Sequence, residues 1–454
     1  MKHLRTYIIL LLAAALVSTA EAQSVLTLQE AMESACRNNA DLKKKRMSTE
    51  SMKQLKKQLY TKYFPSVSAS TTAFMRNRGF AEGSELLDLV FASVALFEDV
   101  DPDTEIGDVQ ILKYGLLGSA RAVQPIYTGG RITSANRLAA LGIDATRELT
   151  AIKEEELKQE VEKYFWQLVQ LYEAGRSLLT MDSLVGKARS DASLALKAGL
   201  VTANDKMEVD LYASDLESTR LKIDNGKRLC REYLAYLVGT ERVDSIVWDD
   251  IYTVNDPSVY LTDPTTALQN RHETKLLQMR KDAERLKKKY TLGTLLPSVG
   301  AAFTVNYHRF SAKRDGDLFH NTFDNKPMSW MLAAVVNIPI TDWWGGKHKL
   351  RQSDISIRQA EIDYDDKQKL MRVQMSQKWN TLTEKYKQVD VAQKKLRQSE
   401  QNQRQHASAY RSGSATMTDR LHADALYEKA RTNYIDACIK YRLAITDYLH
   451  ATGR

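Results

Sequence analysis

Proline is scarce in this sequence and unevenly placed. Of eight prolines, none falls from Ile126 to Asp256 and none from Ile340 to Arg454. Proline removes an amide donor and clashes with the preceding helical turn, so two proline-free stretches of 131 and 115 residues point to very long helices. Cysteine is scarcer still. Cys36, Cys230 and Cys438 are odd in number and widely spaced, which excludes a disulfide framework. They read as small buried apolar residues, with a bond between two of them left open. Long apolar runs are also missing. Mean hydropathy is -0.42, and beyond the first 17 residues no run approaches the ~18 residues of a spanning helix. This excludes a polytopic helical membrane protein. It does not exclude a β-barrel, whose alternating strands escape hydropathy.

Motifs of catalysis are absent as well. The sequence holds no Gly-x-Ser-x-Gly elbow, no phosphate-binding glycine loop, no Cys-x-x-Cys and no His-Glu-x-x-His; His272-Glu273 lacks the second histidine. The eight histidines are scattered. The expectation is no enzyme, no cofactor and no metal site. The formal net charge of +8 is spread as Lys/Arg mixed with Glu/Asp along helical segments, the pattern of a solvated face, so no nucleic-acid partner is expected.

What is present begins with Met1-Lys2-His3-Leu4-Arg5, an apolar stretch from Tyr7 to Val17, and Ala20-Glu21-Ala22. A basic end, a short apolar core and an Ala-x-Ala site make a secretory signal peptide, cleaved after Ala22. No cysteine follows that site to carry an acyl chain.

The chain then repeats itself. Ala35 and Asn38 return as Ala267 and Asn270, Lys56-Lys57 as Lys288-Lys289, and Pro65-Ser66-Val67 as Pro297-Ser298-Val299, all at an offset of 232. Pro-Ile-Tyr-Thr-Gly-Gly-Arg at 125–131 matches Pro-Ile-Thr-Asp-Trp-Trp-Gly-Gly-Lys at 339–347. An offset of 214 then pairs Ala195, Lys197, Gly199, Asp205, Asp210 and Gly239 with Ala409, Arg411, Gly413, Asp419, Asp424 and Gly453. The ordered series makes the chain two copies of one unit.

Each copy reads alike. Helical residues at about 28–62 and 264–290 come first, with a break at Asn38-Asn39. Proline and an alternating strand follow: Val67, Ala69, Thr71 and Ala73 face one way, as do Val299, Ala301, Phe303, Val305 and Tyr307. A second strand is expected at about 111–124 and 329–339, ended by proline and Gly-Gly before a long helix. Strands of ~10 residues suit a tilted membrane barrel, and Trp330 and Tyr307 near strand ends suit its interfaces; an ordinary soluble hairpin is the alternative. The first interstrand loop, Gly79 to Val109, has nine Asp/Glu and no Lys/Arg, with an unassigned apolar piece at 86–97.

Residues 131–197 carry helical stripes: Leu138, Leu141, Ala145, Leu149 and Ile152, then Val161, Phe165, Leu168 and Tyr172. Leu382, Tyr386, Val389 and Leu396 repeat the pattern. A helix of this length extends ~100 Å, and a narrow stripe on it is buried only by coiled-coil packing on other helices. Each long helix turns at a glycine, Gly199 and Gly413, with Asp205 and Asp419 six residues later, where a carboxylate suits the helix dipole. Returning helices are expected at 203–238 and 416–451.

With Leu26-Thr27-Leu28-x-Glu30-Ala31, the Pro65 and Pro297 strand starts, the two Gly-Gly pairs, the two Gly turns followed by Asp, Asp424-Ala425 and Ala430-x-x-x-Tyr434, the sequence resembles the outer-membrane efflux protein family, of which TolC is the type. The resemblance implies a mainly α fold with a small transmembrane β part. Long coiled-coil hairpins would form a periplasmic tunnel, and four strands per protomer would contribute to a 12-strand barrel of a homotrimer in the outer membrane. The organisation it implies is a signal peptide at 1–22, first-repeat helices at 23–63, strand pair 1 at 64–125, hairpin 1 at 126–239 and an equatorial junction at 240–263. Then come a lead-in helix at 264–296, strand pair 2 at 297–339 and hairpin 2 at 340–454.

The resemblance also implies function: an outer-membrane channel working with a periplasmic adaptor and an inner-membrane pump. Its tunnel constriction falls on Asp419, with His422 where the family has a second acid and Tyr410 where some relatives hold the channel closed. The arginine expected two residues after Gly413 is Ala415, so Arg411 or Arg420 is left to pair with Tyr410. The adaptor-docking tips fall on Gly199, Leu200 and Val201 and on Gly413, Ser414 and Ala415, with Asp205 as the first-hairpin acid. The competing reading is a periplasmic coiled-coil scaffold or adaptor, which shares the helices and lacks paired strands between them. The substrate (drug, metal ion or secreted protein) and the partner pump stay open.

Overall fold

The computed structural model describes residues 25–75, 114–199, 201–249, 251–311 and 328–454. The expected signal peptide, the acidic loop with its 86–97 segment, and Leu200 lie outside the described residues.

The first repeat contains β1 (Val25–Leu26), α1 (Leu28–Asn38), α2 (Ala40–Tyr60), β2 (Ser66–Met75), β3 (Tyr114–Tyr127), α3 (Arg131–Lys197) and α4 (Ala203–Val238). After β4 (Ser245–Ile246) the second contains α5 (Pro264–Asn270), α6 (His272–Thr294), β5 (Ser298–Ser311), β6 (Met328–Asn337), α7 (Asp342–Arg411) and α8 (Met417–Ala451). The fold is mainly α with a small β part. The proline-free stretches hold helices of 67 and 70 residues, each followed by one of about half that length. The chain divides into two units, one of residues 1–51, 143–281 and 360–454, the other of 52–142 and 282–359.

The second unit is built on one antiparallel sheet of order β2-β3-β5-β6. The two copies therefore meet at β3 and β5, and β2 and β6 keep outer edges with no strand beside them among the described residues. The register separates the faces. Val67, Ala69 and Ala73 align with Ala122, Ala120 and Leu116, these with Phe303, Val305 and Arg309, and the first two of those with Leu332 and Trp330. The other face aligns Ser66, Ser68, Ser70 and Thr72 with Val123, Arg121, Ser119 and Leu117, then with Ala302, Thr304, Asn306 and His308, of which the first three meet Ala333, Met331 and Ser329; Ser70 and Ser119 share a hydrogen bond of 3.0 Å. Alternation along the strands gives one mainly apolar face and one face of mixed polar and apolar residues.

Two local expectations are corrected in this unit. Pro125 does not end its strand; β3 runs on to Tyr127, with a register shift between Pro125 and Tyr127. At a bulge the missing proline amide costs no ladder bond. Gly345 and Gly346 do not precede α7; they lie inside it. A Cβ on Gly346 would stand 2.7 Å from the Leu295 side chain, so this glycine permits a close approach rather than a turn. In the first repeat the pair does turn: Gly129 and Gly130 have φ of +63° and +77°, and a Cβ on Gly129 would meet the Gly293 carbonyl oxygen at 2.5 Å.

The first unit holds the main core. Leu42, Val161, Phe165, Leu168, Leu234, Leu382 and Tyr441 are fully buried in it, joined by Cys230 and Cys438. Of the earlier stripe on α3, Leu149 is instead 43% exposed. All three cysteines are free thiols, which closes the question of a disulfide. β1 pairs in parallel with β4, tying the start of the chain to the junction after α4.

The break between α1 and α2 has a clear cause. Asn39 Oδ1 accepts the amides of Asp41 and Leu42 at 3.0 and 3.2 Å, capping α2, while its Nδ2 donates to the Leu237 carbonyl at 3.2 Å. Gly239, φ +73°, lies against Asn38, and Gly453, φ +72°, lies against Asn270 and Arg271 in the same way. The end of each returning helix thus packs on the helix break that opens its own repeat.

Candidate functional site

The predicted site residues cluster at the two hairpin turns, both in the first unit. At the first turn the Ala198 amide donates to Leu194 O and the Gly199 amide to Leu196 O, each at 3.0 Å. Gly199 takes φ +70°. At the second, Gly413 takes φ +72°, its amide donates to Tyr410 O at 3.1 Å, and the Ser414 amide donates to Ala409 O at 2.9 Å. These two bonds form a Schellman motif, which requires the left-handed residue that glycine supplies. Nothing stands within 4 Å of a Cβ built on either glycine. Gly413 and Ser414 are exposed, and Val201 and Ala415 are half-buried.

Each returning helix starts with a capping box. Thr202 Oγ1 accepts the Asp205 amide, while Asp205 Oδ2 accepts the Thr202 amide and hydroxyl, each at 2.8 Å. Thr416 and Asp419 do the same at 3.0 and 2.7 Å. The hydrogen bonds from Thr202 hold the Asp205 carboxyl below its ordinary value. Those from Thr416 do so for Asp419, helped by His406 and His422 nearby. In the single protomer the Asp419 carboxylate is therefore favoured. His422 is exposed, and His406 Nδ1 is buried without a hydrogen-bond partner.

Tyr410 is not paired with Arg411, whose Nε donates to the Ala407 carbonyl at 3.2 Å. It is Arg420 that lies over the Tyr410 ring, 5.3 Å from its centre, with its Nε 3.8 Å from Asp424 Oδ2. Gln403 Nε2 donates to the other oxygen of Asp424 at 2.9 Å. The first hairpin repeats this at the offset of 214: Asp210 takes Arg189 at 2.7 Å and Lys206 at 2.5 Å. Hydrogen bonding from Lys206, then from Arg189, holds its carboxyl down. These triads went unread in the sequence, although its offset already paired Asp210 with Asp424. The signal was a cation four residues before each aspartate, one helical turn away. Beneath the turns, Met181, Val185, Ala188 and Ala192 of α3, Val209 of α4 and Leu421 of α8 share one buried cluster, so the two hairpins pack on each other near their tips.

Comparison with known proteins accords with this geometry. Residues 264–447 match the family profile described as outer membrane efflux protein. No curated protein matches the chain by sequence. Among solved structures, the outer-membrane channel OprN superposes with a TM-score of 0.74 at 14% identity, covering 94% of this chain and 89% of that one. The outer membrane protein VceC of Vibrio cholerae gives 0.71 at 14% identity, over 94% and 96%. The Campylobacter jejuni CmeC outer membrane channel gives 0.74 at 14% identity, over 94% and 85%. At such identity these likenesses establish the fold alone, one that the solved outer-membrane channels share. Residues 264–447 thus match the outer membrane efflux protein family, and over nearly its whole length the chain has the fold of the TolC-like channels.

Proposed function

We propose that the protein is the outer-membrane channel-tunnel of a tripartite efflux or type I secretion system. It would act as a homotrimer, receive substrate from an inner-membrane pump through a periplasmic adaptor, and conduct it across the periplasm and the outer membrane. One observation carries this reading: a four-stranded sheet with one mainly apolar face, one more polar face and two edges that no strand covers among the described residues. In lipid an open edge leaves amides and carbonyls unsatisfied at several kcal/mol each, so such a sheet is stable there only when copies close it into a barrel. Its apolar face then meets lipid and its polar face lines the lumen. A periplasmic scaffold has no use for strands of this kind, which argues against that alternative.

In this reading Asp419, with His422 and Tyr410, lines the narrowest point of the tunnel, where three copies of one carboxylate favour cations. The tips around Gly199, Leu200, Val201, Gly413, Ser414 and Ala415 dock the adaptor, and Asp205 lies beside the first of them. The expected result is a heat-sensitive trimer in the outer-membrane fraction that forms channels in planar bilayers. Asp419→Ala should raise conductance and weaken block by divalent cations. A soluble monomer without channel activity refutes the channel; unchanged conductance and block in Asp419→Ala refute only the constriction. Gly199→Trp should abolish efflux or secretion and leave the trimer intact if the tips dock the adaptor.

A further inference from the structure

One end of the four-stranded sheet carries a band of aromatic side chains backed by lysines. At this end β2 and β5 begin and β3 and β6 finish. Tyr60, Phe64, Tyr127, Tyr290, Trp343 and Trp344 surround it and are exposed, Trp344 at 81%. Tyr60 meets Tyr63 and Phe64 edge-on at 5.6 Å, and Trp343 Nε1 donates to the Leu295 carbonyl at 2.7 Å, so the band is held in place. Large exposed rings have a use where one end is apolar and the other wet.

Among and just beyond the rings the charges are mostly of one sign. Lys62 lies between Tyr60 and Phe64, four residues before β2, and Lys347 lies one helical turn beyond Trp343 on the same side of α7. Four helical residues rise about 6 Å, within the polar layer that adds roughly 5–8 Å to each side of a bilayer's hydrocarbon core. Both lysines are exposed and make no ion pair among the described residues. Lys287 and Lys288, further back, are bonded to Glu284 and Asp354. Asp342 supplies an acid in the first turn of α7.

We infer that this aromatic and basic band binds anionic phospholipid headgroups of the leaflet that faces the periplasm. The rings seat at the boundary of the hydrocarbon, and Lys62 and Lys347 reach the phosphodiester anions beside it. The inference rests on the barrel reading above. It adds a preference of one lipid charge over another, which a barrel alone does not require.

The test uses the full protein reconstituted into vesicles of phosphatidylethanolamine containing phosphatidylglycerol. Either the one lipid or the other carries bromine as a quencher, and the Trp344 signal is the difference between wild type and Trp344→Phe. Brominated phosphatidylglycerol should quench Trp344 several-fold more, at equal mole fraction. The double variant Lys62→Gln/Lys347→Gln should lose that preference and still insert as a heat-sensitive trimer. Each lysine contributes roughly fivefold in affinity at an anionic surface, so without both the quenching ratio of the two lipids should fall to about one. Equal quenching by both lipids, or a preference that survives in the double variant, overturns the inference while the barrel stands. No quenching by either lipid means another copy of the chain covers Trp344, which also overturns it. Failure to insert into any vesicle overturns the barrel reading itself.

Discussion

The guanidinium of Arg420 lies 5.3 Å from the centre of the Tyr410 ring and joins the last turn of α7 to the first turn of α8. The same side chain approaches Asp424, which is 4% exposed. Arg420→Gln should therefore loosen the second tip, by about 0.5–1 kcal/mol for the ring contact and about 2 kcal/mol for a buried carboxylate left short of a partner. Tyr410→Phe keeps the ring and should change little, whereas Tyr410→Ala should resemble Arg420→Gln. Thermal unfolding and single-channel conductance measured together decide this. If Tyr410→Phe opens the channel as much as Tyr410→Ala, the hydroxyl rather than the ring is what matters.

Gly239 and Gly199 have nearly the same left-handed backbone, φ +73° and +70°, in different surroundings. An alanine at Gly199 meets open space and should cost about 1 kcal/mol, the backbone strain alone. At Gly239 its Cβ would stand 2.6 Å from the Asn38 Cβ and 3.1 Å from the Asn38 carbonyl carbon. Gly239→Ala should cost about 3 kcal/mol or more, because backbone must move as well. Denaturant titration of the two variants compares them directly; equal losses would falsify the packing of α4 on the first helix break.

Acid should open the tips before it unfolds the core. The carboxyls of Asp205 and Asp419 are held below the ordinary aspartate value of 3.8 by their capping threonines. A depressed folded-state pKa contributes stability that is complete above 3.8 and disappears as pH falls through the lower folded value. Hydrogen exchange of the first-turn amides of α8, corrected for intrinsic rates, should accelerate in that window. Asp419→Ala should show fast exchange at every pH, and an acid response that persists in it would point to another group.

Cys36 should react slowly for a partly exposed thiol. Burial pushes its pKa up, and the neighbouring Glu154 carboxylate adds to the shift. Alkylation near pH 8 should be slower than for a free thiol, and Glu154→Gln should quicken it. In denaturant all three cysteines should titrate as thiols. Fewer than three would contradict the free state of Cys36, Cys230 and Cys438.

Local signals in the sequence determined much of this molecule. The proline gaps set where helices of 67 and 70 residues run. Thr-x-x-Asp and a glycine three residues earlier are enough to turn a helix and start the next, because every bond involved lies within five residues. The alternation in β2 and β5 already sorted Val67, Ala69, Phe303 and Val305 to one face.

Tertiary structure decided what depends on distant partners. The pairing of β3 with β5 joins residues more than 170 positions apart, such as Leu117 with His308, and no local pattern encodes which edge meets which. Gly346 resembles the turn glycines of the first repeat, yet it lies within α7, where its missing side chain lets Leu295 approach. Ala415 left two arginines as partners for Tyr410, and the packing of α8 on α7 selected Arg420. Helix periodicity fixes which side of a helix a residue occupies. Which neighbour waits on that side is fixed only when the helices pack.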